Sequence, residues 1–222
     1  MKKNTWIVLF FLALAVDLVA IYLNNEMIRY FSKPLIMIFL IGYFASQLSN
    51  IESSLKKWVI SALIFSCLGD ILLLFEPGDS RFFLFGLSAF LMAHIIYIFF
   101  FHQVRIIENI RGKTWLLLPV AVYYAFIITW LSPFLGDMKI PVRIYAVVIS
   151  FMLMLALHML FISNKKAGWS MAGGAFLFVM SDSILAVNKF YGSFEFAGIA
   201  IMLTYGFAQF LIVKGAIDYI RS

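Results

Sequence analysis

The chain has 222 residues, of which 64% are hydrophobic and only 13% are charged. Soluble domains are about 45–50% apolar and about 25% charged, so this composition excludes a soluble globular protein and predicts one embedded in lipid. The net charge of +6 does not indicate a nucleic-acid partner, because the Lys and Arg residues lie in short segments between apolar runs, where they set membrane topology.

Eight apolar segments suited to crossing a bilayer follow one another along the chain. Their predicted limits are Trp6–Leu23, Leu35–Leu48, Trp58–Phe75, Phe82–Phe101, Trp115–Leu131, Val142–Ile162, Ser170–Val187 and Phe196–Val213. The second is short, and we expect it to extend outward beyond Pro34. Because the connections are short, neighbouring spans should pack antiparallel. The sequence therefore predicts an all-α polytopic membrane protein, with residues 1–222 forming a single transmembrane domain.

The first apolar run follows Lys2 and Lys3 and resembles a secretory signal peptide. It continues to Leu23, which is too long for the apolar core of such a peptide, so we interpret it as the first spanning helix. With the N-terminus in the cytoplasm, the inner segments carry 11 Lys and Arg residues and the outer segments carry 6. We therefore predict that both termini are cytoplasmic, in a multi-pass protein of the cell membrane (the inner membrane in a bacterium).

Two short motifs favour an internal repeat. Residues 69–73 (GDILL) in the third span and residues 181–185 (SDSIL) in the seventh both place an Asp second and end in aliphatic side chains, and Asp70 and Asp182 are 112 residues apart. The same offset carries the first four spans onto the last four. The pattern is that of a parallel 4+4 repeat of residues 1–110 and 113–222, related by a pseudo-twofold axis along the membrane normal.

Asp70 and Asp182 are the leading candidates for function. A carboxylate within a span costs about 2.5–3.5 kcal/mol on insertion scales, so such residues are functional candidates by default. Each Asp lies 12 residues after the predicted start of its span. At about 1.5 Å per residue, both should lie roughly 18 Å along their helices and therefore at one depth. If the third and seventh spans are neighbours, the two carboxyl groups can face one cavity.

Three interpretations of this pair stay open at this point. Two facing carboxyl groups in a low dielectric separate into one protonated and one ionised group, which is the division of labour that general acid–base hydrolysis needs. A proton-coupled transporter would use the same pair as a proton or cation site. Alternatively, the two side chains cross-link helices through hydrogen bonds and have no chemical role.

Further polar side chains lie within or at the ends of the spans, and we expect them to support the Asp pair. His94 shares a helix face with Tyr97, and Tyr205 shares one with Gln209. A Lys near the outer interface could bind a phosphate, although it more commonly extends its side chain to the headgroup region. The candidate substrate-binding residues are His94, Tyr97, Asn188, Tyr205, Gln209, Lys33, Lys189 and Asp17.

The sequence predicts neither a metal nor a cofactor. The three His residues, at positions 94, 102 and 158, lack the spacing of metal ligands. No G-x-S-x-G nucleophile motif, P-loop or G-x-G-x-x-G dinucleotide motif occurs in the chain. The pair Gly173-Gly174 in the seventh span is more typical of close helix packing than of a site.

Several of these motifs together resemble a known family. Gly69-Asp70, the run from Phe85 to Tyr97, the run from Ser181 to Phe190 and the run from Thr204 to Val213 resemble the YhhN/TMEM86 family of lysoplasmalogenase-like integral membrane proteins. Lys33-Pro34 fits as well, and the resemblance covers essentially the whole chain. Characterised animal members hydrolyse the vinyl ether bond of lysoplasmalogens, which releases a fatty aldehyde and glycerophosphoethanolamine or glycerophosphocholine. The resemblance implies eight spans and two essential intramembrane Asp residues, matching Asp70 and Asp182.

The function implied by the resemblance is an intramembrane hydrolase that acts on a single-chain lysolipid by acid–base catalysis. One Asp would protonate the vinyl ether, and the other would stabilise the resulting oxocarbenium ion and orient water. The sequence does not distinguish which Asp has which role. The expected partners are the lysolipid and membrane lipids, without nucleic acid. A small proton-coupled transporter and a non-catalytic lipid-binding protein are the alternatives.

Overall fold

A computed structural model describes residues 5–222, and in that range the chain forms eight long helices and no strands. The helices are α1 (Thr5–Tyr22), α2 (Glu26–Gln47), α3 (Leu55–Leu74), α4 (Arg81–Ile107), α5 (Leu117–Leu131), α6 (Lys139–His158), α7 (Lys165–Ala186) and α8 (Ala197–Ile220). Each of these segments, α5 to α7 with short 3-10 or π extensions, is long and apolar enough to cross a membrane. The prediction of an all-α protein with eight spans is confirmed.

The predictions of cytoplasmic termini, of a single domain and of an internal repeat are not decided by the helix count, and they stay predictions. Lys2 and Lys3, which contribute to the charge argument for orientation, lie outside the described residues.

Helix α2 differs most from its predicted span. It begins at Glu26, nine residues before the predicted start, so Lys33 and Pro34 lie within the helix rather than at its opening. The Asn25 side chain accepts a hydrogen bond from the backbone N–H of Ile28 at 3.1 Å and caps the first turn. Polar residues in the first two turns lower the mean hydropathy there, although the helix is continuous. The hydropathy pattern therefore identified only the apolar part of α2.

Over residues 5–222, most consecutive helices are in contact, but α4 and α5 form no extensive contact with each other. Helices α1 and α2, α3 and α4, and α7 and α8 form the most extensive pairs, and α4 packs on α6. Small residues permit the closest of these approaches: a Cβ atom on Gly174 of α7 would lie 2.7 Å from the backbone carbonyl oxygen of Ala208 on α8.

In the described chain, α3 and α7 do not form an extensive direct contact. Side chains from α4 and α8 lie between them: the Phe90 ring packs against Gly69 of α3 and near Phe178 of α7, and Tyr205 reaches both Asp70 and Phe178. The third and seventh spans are therefore not direct neighbours, contrary to the condition under which we expected Asp70 and Asp182 to face one cavity. The two Asp residues are brought together through the helices that separate them.

Helix α5 is the least buried of the eight, and only Val120 and Leu131 are buried along it. Its main partner is α6. Because most of its side chains are free of protein contacts, α5 presents a largely lipid-facing surface beside the α6–α7 pair.

Candidate active site

Asp182 of α7 lies among residues from two other helices. The Tyr145 hydroxyl of α6 donates a hydrogen bond to Asp182 Oδ2 at 2.5 Å. His94 Nε2 of α4 lies 3.8 Å from the same oxygen. The His94 ring is fully buried, with its edge against the rings of Tyr145 and Phe178 at centroid distances of 5.2 and 4.7 Å. The carboxyl group is thus held by one hydroxyl donor and flanked by an imidazole.

Tyr145 was not among the candidates from the sequence, although a signal for it exists. Residue 145 lies 18 positions before Ser163, and Asp182 lies 18 positions after Asn164, so the two are equidistant from the turn that joins α6 and α7. In an antiparallel helix pair, residues equidistant from the turn lie at the same depth, because both helices rise by about 1.5 Å per residue. Depth matching across a short loop would therefore have paired Tyr145 with Asp182.

The Asp182 carboxyl group is reached from two narrow apolar pockets. The first, named here the α4-side pocket, is lined by Leu73, Phe83, Phe90 and Phe190 together with Tyr145 and Asp182. The second, the α5-side pocket, is lined by Tyr123, Ile127, Leu131 and Ser183 together with the same two residues. They contain about 40 Å³ and 50 Å³ of free space, respectively. The side chain of Asp182 is 16% exposed. Asp182 and Tyr145 therefore line both pockets.

Asp70 of α3 has a different environment. The Lys33 Nζ atom lies 3.6 Å from Asp70 Oδ1, and the Tyr205 hydroxyl donates a hydrogen bond to Asp70 Oδ2 at 2.7 Å. Both charged side chains are buried, with exposures of 7% for Lys33 and 2% for Asp70. Asp70 does not line either pocket that reaches Asp182. It is therefore an ion-paired, enclosed carboxylate.

Lys33 does not extend its side chain to the membrane interface, because the side chain is buried against Asp70. Its position on the second turn of α2 turns the side chain toward α3, where the buried charge of Asp70 compensates it. A buried ammonium group needs such a partner, because an unpaired charge in an apolar interior is far costlier.

A second polar network continues from Asp70, one helical turn further along α3 and α8. The Gln209 side-chain amide donates to Ser66 Oγ at 3.0 Å, and its Oε1 accepts a hydrogen bond from the Tyr97 hydroxyl at 2.8 Å. Ser66 lies four residues before Asp70, and Gln209 lies four residues after Tyr205. Tyr205 and Gln209 thus share a face of α8, as predicted. Their side chains cross-link α8 to α3 and α4 and do not contact Asp182.

The two carboxyl groups occupy adjacent but distinct sites. Phe90, Phe178 and Tyr205 pack edge to face in the space between them, with ring centroids 5.5–6.4 Å apart. Of the predicted candidates, the structure places His94 beside Asp182. It places Lys33 and Tyr205 beside Asp70.

Among the described residues, the remaining candidates form no hydrogen bond or ion pair with either carboxyl group. Asp17 accepts a hydrogen bond from Ser32 Oγ at 2.7 Å and lies 4.0 Å from Arg29, which joins α1 to α2. The Asn188 side chain accepts a hydrogen bond from the backbone N–H of Phe194 at 3.4 Å in the loop after α7. Lys189 forms an ion pair with Glu76.

Within residues 5–222, no group of three or more His, Cys, Asp and Glu side chains is placed to hold a metal ion. In the same range both ring nitrogens of His94 are buried without a hydrogen-bond partner. A buried donor or acceptor left unpaired costs about 1–3 kcal/mol, and such groups are concentrated at functional positions. The Asp182 site therefore retains unused hydrogen-bonding capacity directly beside a carboxyl group.

The family model of the YhhN family matches residues 28–216. The chain belongs to the YhhN family. Among curated relatives of this YhhN protein, a lysoplasmalogenase of Mycobacterium tuberculosis is 32% identical over 163 residues, which is 72% of this chain and 60% of the relative. Lysoplasmalogenase TMEM86B of Homo sapiens is 32% identical over 158 residues, 70% of this chain and 62% of the relative. Lysoplasmalogenase TMEM86B of Rattus norvegicus is 30% identical over 161 residues, which is 72% of this chain and 62% of the relative.

The YhhN chain thus matches about three-fifths of the length of these relatives. No solved structure matches it.

Proposed function

We propose that this protein hydrolyses the vinyl ether bond of lysoplasmalogen-type single-chain lipids within the cell membrane. Two kinds of observation support the proposal. Relatives about 30% identical over most of the chain are named lysoplasmalogenases. The observation that carries it is the position of Asp182, which lines two apolar pockets and accepts a hydrogen bond from the Tyr145 hydroxyl.

The reaction requires one proton donor and one water molecule. Protonated Asp182 transfers its proton to the β-carbon of the vinyl ether, and the α-carbon and ether oxygen become an oxocarbenium ion. The Asp182 carboxylate formed in this step stabilises the cation in a low-dielectric site. Water adds to the α-carbon and returns a proton to Asp182. The resulting hemiacetal collapses to a fatty aldehyde and the alcohol of the glycerophospho headgroup.

We infer different roles for the two Asp residues from the charges around them. Among residues 5–222, no Lys or Arg nitrogen lies within 4.0 Å of Asp182, whereas Lys33 lies beside Asp70. A carboxyl group without a cation in apolar surroundings favours its neutral form, and an ion-paired carboxylate keeps its charge. Asp182 is therefore the proton donor. Asp70 is a positioning residue that holds Lys33 and Tyr205 on the other side of the Phe90 ring.

Tyr145 and His94 complete the site. The hydrogen bond from Tyr145 to Asp182 Oδ2 stabilises the carboxylate that remains after proton transfer. The 3.8 Å between His94 Nε2 and the same oxygen exceeds a direct hydrogen bond, so Nε2 keeps its bonding capacity for a water molecule that enters beside Asp182 during the reaction. His94 thereby orients the water that attacks the oxocarbenium ion.

The α5-side pocket is the better route for the tail of a single-chain substrate. Its lining is almost entirely apolar, and its free space of about 50 Å³ must widen to admit a hydrocarbon chain. The α5-side pocket lies between α6–α7 and the lipid-exposed helix α5. The tail of the lysolipid therefore enters laterally from the bilayer beside α5, and its vinyl ether reaches Asp182.

The test is aldehyde release from lysoplasmenylethanolamine by the purified protein in detergent. We expect turnover in the wild type and a loss of about 10²–10⁴-fold in Asp182→Asn. The exposed loop variant Asp137→Asn serves as the matched control and should retain full activity. Asp182→Asn should still bind an uncleavable 1-alkyl lysolipid. Unchanged lysolipid together with substrate-dependent proton movement in liposomes would instead identify a transporter.

A further inference from the structure

An ion pair lies next to residues that line one end of the α4-side pocket. Helix α7 continues into a π-helical turn (Val187–Tyr191), in which the Lys189 ammonium group pairs with the carboxylate of Glu76 in the loop after α3. The Lys189 Nζ atom also lies over the Phe83 ring, 5.1 Å from its centroid. Both side chains are partly exposed, at 36% for Lys189 and 27% for Glu76. The pair is therefore accessible from outside the helix bundle.

Each member of the pair is linked to the lining of the pocket. Lys189 directly precedes Phe190, and Glu76 follows Leu73 by three residues. The rings of Phe83 and Phe190 meet edge to face at 5.7 Å. The pocket thus runs from Asp182 to these two rings, and the Lys189–Glu76 pair lies directly beyond them.

The distance from Asp182 to this end matches the length of a lysolipid headgroup. Residues 182 and 189 are seven positions apart, which is about 10 Å along a helix. In a lysoplasmalogen, the vinyl β-carbon and the phosphorus are separated by about seven single or double bonds, which span about 8–9 Å at the bond lengths of an extended chain. With the vinyl ether at Asp182, the phosphate therefore reaches the level of Lys189.

Lys189 is also the cation best able to change partners there. Arg81, the other cation of the adjoining loop, is held by Asp79 through two side-chain nitrogens, at 2.6 and 2.9 Å. Lys189 is held by a single ammonium contact to Glu76. A partly exposed single-contact pair contributes little net stability, so a second anion can replace Glu76 at low cost.

We propose that Lys189 binds the headgroup phosphate of the lysolipid substrate and that Glu76 occupies Lys189 in the absence of substrate. This inference rests on the proposed function and names the group that selects phosphate-bearing lysolipids. The phosphate displaces the Glu76 carboxylate, and the positive charge of Lys189 stays paired throughout. Because Lys189 stacks on Phe83, its movement toward the phosphate also frees the aromatic end of the α4-side pocket.

The test measures binding rather than turnover, so that it stands apart from the hydrolysis assay. The ligands are two uncleavable lipids with the same saturated 1-alkyl tail, an alkylglycerol phosphate and the corresponding alkylglycerol. For Lys189→Met we expect about a tenfold or larger loss of affinity for the phosphate lipid, as removal of a charge-assisted contact implies, and no change for the alkylglycerol. Lys189→Arg should keep the preference for phosphate. Lys139→Met, which removes an exposed Lys at the start of α6, is the matched control.

Glu76→Gln gives the decisive comparison. Removal of the competing carboxylate should strengthen binding of the phosphate lipid several-fold in the wild-type background, and the effect should vanish when Lys189→Met is also present. If Lys189→Met and Glu76→Gln instead change affinity for both lipids in the same direction, the pair is a structural latch and the proposal is wrong. Unchanged affinities would also overturn it. Normal phosphate selectivity without aldehyde release from a cleavable lysolipid would refute the hydrolase proposal alone.

Discussion

Tyr97 and Gln209, which are 112 residues apart, are hydrogen-bonded to each other between α4 and α8 at 2.8 Å. The same separation relates Asp70 to Asp182. It also relates Lys33, the partner of Asp70, to Tyr145, the partner of Asp182. Two residues exchanged by a twofold axis contact each other only close to that axis. These pairs favour the predicted 4+4 repeat, with Tyr97 and Gln209 near its axis.

Under such a repeat, the two carboxyl sites would be equivalent positions with different surroundings. At one, a Lys neutralises the Asp and closes the site. At the other, a Tyr stands where the first site has a Lys. Its hydroxyl donates a hydrogen bond to the Asp, which lines two pockets. We infer that an acid is available at only one of the two positions because only Asp182 lacks a cation.

Tyr145→Phe removes the hydroxyl that donates to Asp182 and leaves the ring in its place. We expect a fall in kcat of about 10–100-fold, because one charge-assisted hydrogen bond to the catalytic carboxylate is worth about 1.5–3 kcal/mol. KM should change little, since the ring still lines both pockets. Tyr22→Phe, at an exposed position at the end of α1, is the control. Equal activities of the two variants would exclude a role for the Tyr145 hydroxyl.

Lys33→Met leaves the Asp70 charge buried without a cation. We expect destabilisation of about 3–5 kcal/mol, as when one member of a buried ion pair is removed, measured as a lower thermal unfolding temperature in detergent. Lys33→Tyr should be better tolerated, because a hydroxyl can donate to Asp70 as Tyr145 does to Asp182. The double variant Lys33→Met/Asp70→Asn should recover much of the lost stability. If all three variants unfold at the wild-type temperature, the ion pair has no structural role.

Hydropathy located every span because each membrane crossing requires about 20 apolar residues, and this requirement is local in sequence. It failed at the start of α2, where Glu26, Arg29 and Lys33 interrupt the apolar pattern although the helix continues. The depth argument identified both Asp residues as candidates within the spans. It could not supply their lateral surroundings, since α3 and α7 are separated by side chains of α4 and α8.

Lateral arrangement depends on many small contacts distributed over the chain, such as that of Gly174 with Ala208, and no single motif encodes them. For the same reason, the sequence could not decide whether Lys33 extends to the interface or turns inward. That choice is determined by which face of α2 meets Asp70. Tyr145 is a different case, because its distance from the α6–α7 turn can be counted directly in the sequence.

His94→Phe should separate stability from function. The imidazole is fully buried with both nitrogens unpaired in the described structure, so an apolar ring of similar shape removes an unsatisfied polar group and should maintain or raise the unfolding temperature. Turnover should fall by about 10–100-fold if His94 orients the attacking water, as positioned acid–base groups contribute on this scale or above. The variant should be compared with the wild type in both assays. A stable His94→Phe protein with full turnover would remove His94 from the mechanism.

Two adjacent glycines of α7 provide a matched test of its contact with α8. A Cβ atom on Gly174 would lie 2.7 Å from the Ala208 carbonyl oxygen and 2.8 Å from the Ile212 backbone nitrogen, whereas one on Gly173 would meet nothing within 4 Å. Gly174→Ala should therefore destabilise the protein by about 1–3 kcal/mol, because backbone atoms cannot move aside as a flexible side chain can.

Gly173→Ala should be neutral or stabilising by up to about 1 kcal/mol, since Ala is the better helix former and the space is open. Thermal unfolding of the two variants, purified in the same detergent, measures the difference directly. Equal unfolding temperatures would mean that α7 and α8 can separate without cost. In that case the depth and orientation of Asp182, which lies two turns beyond Gly174 on the same helix, would not depend on this contact.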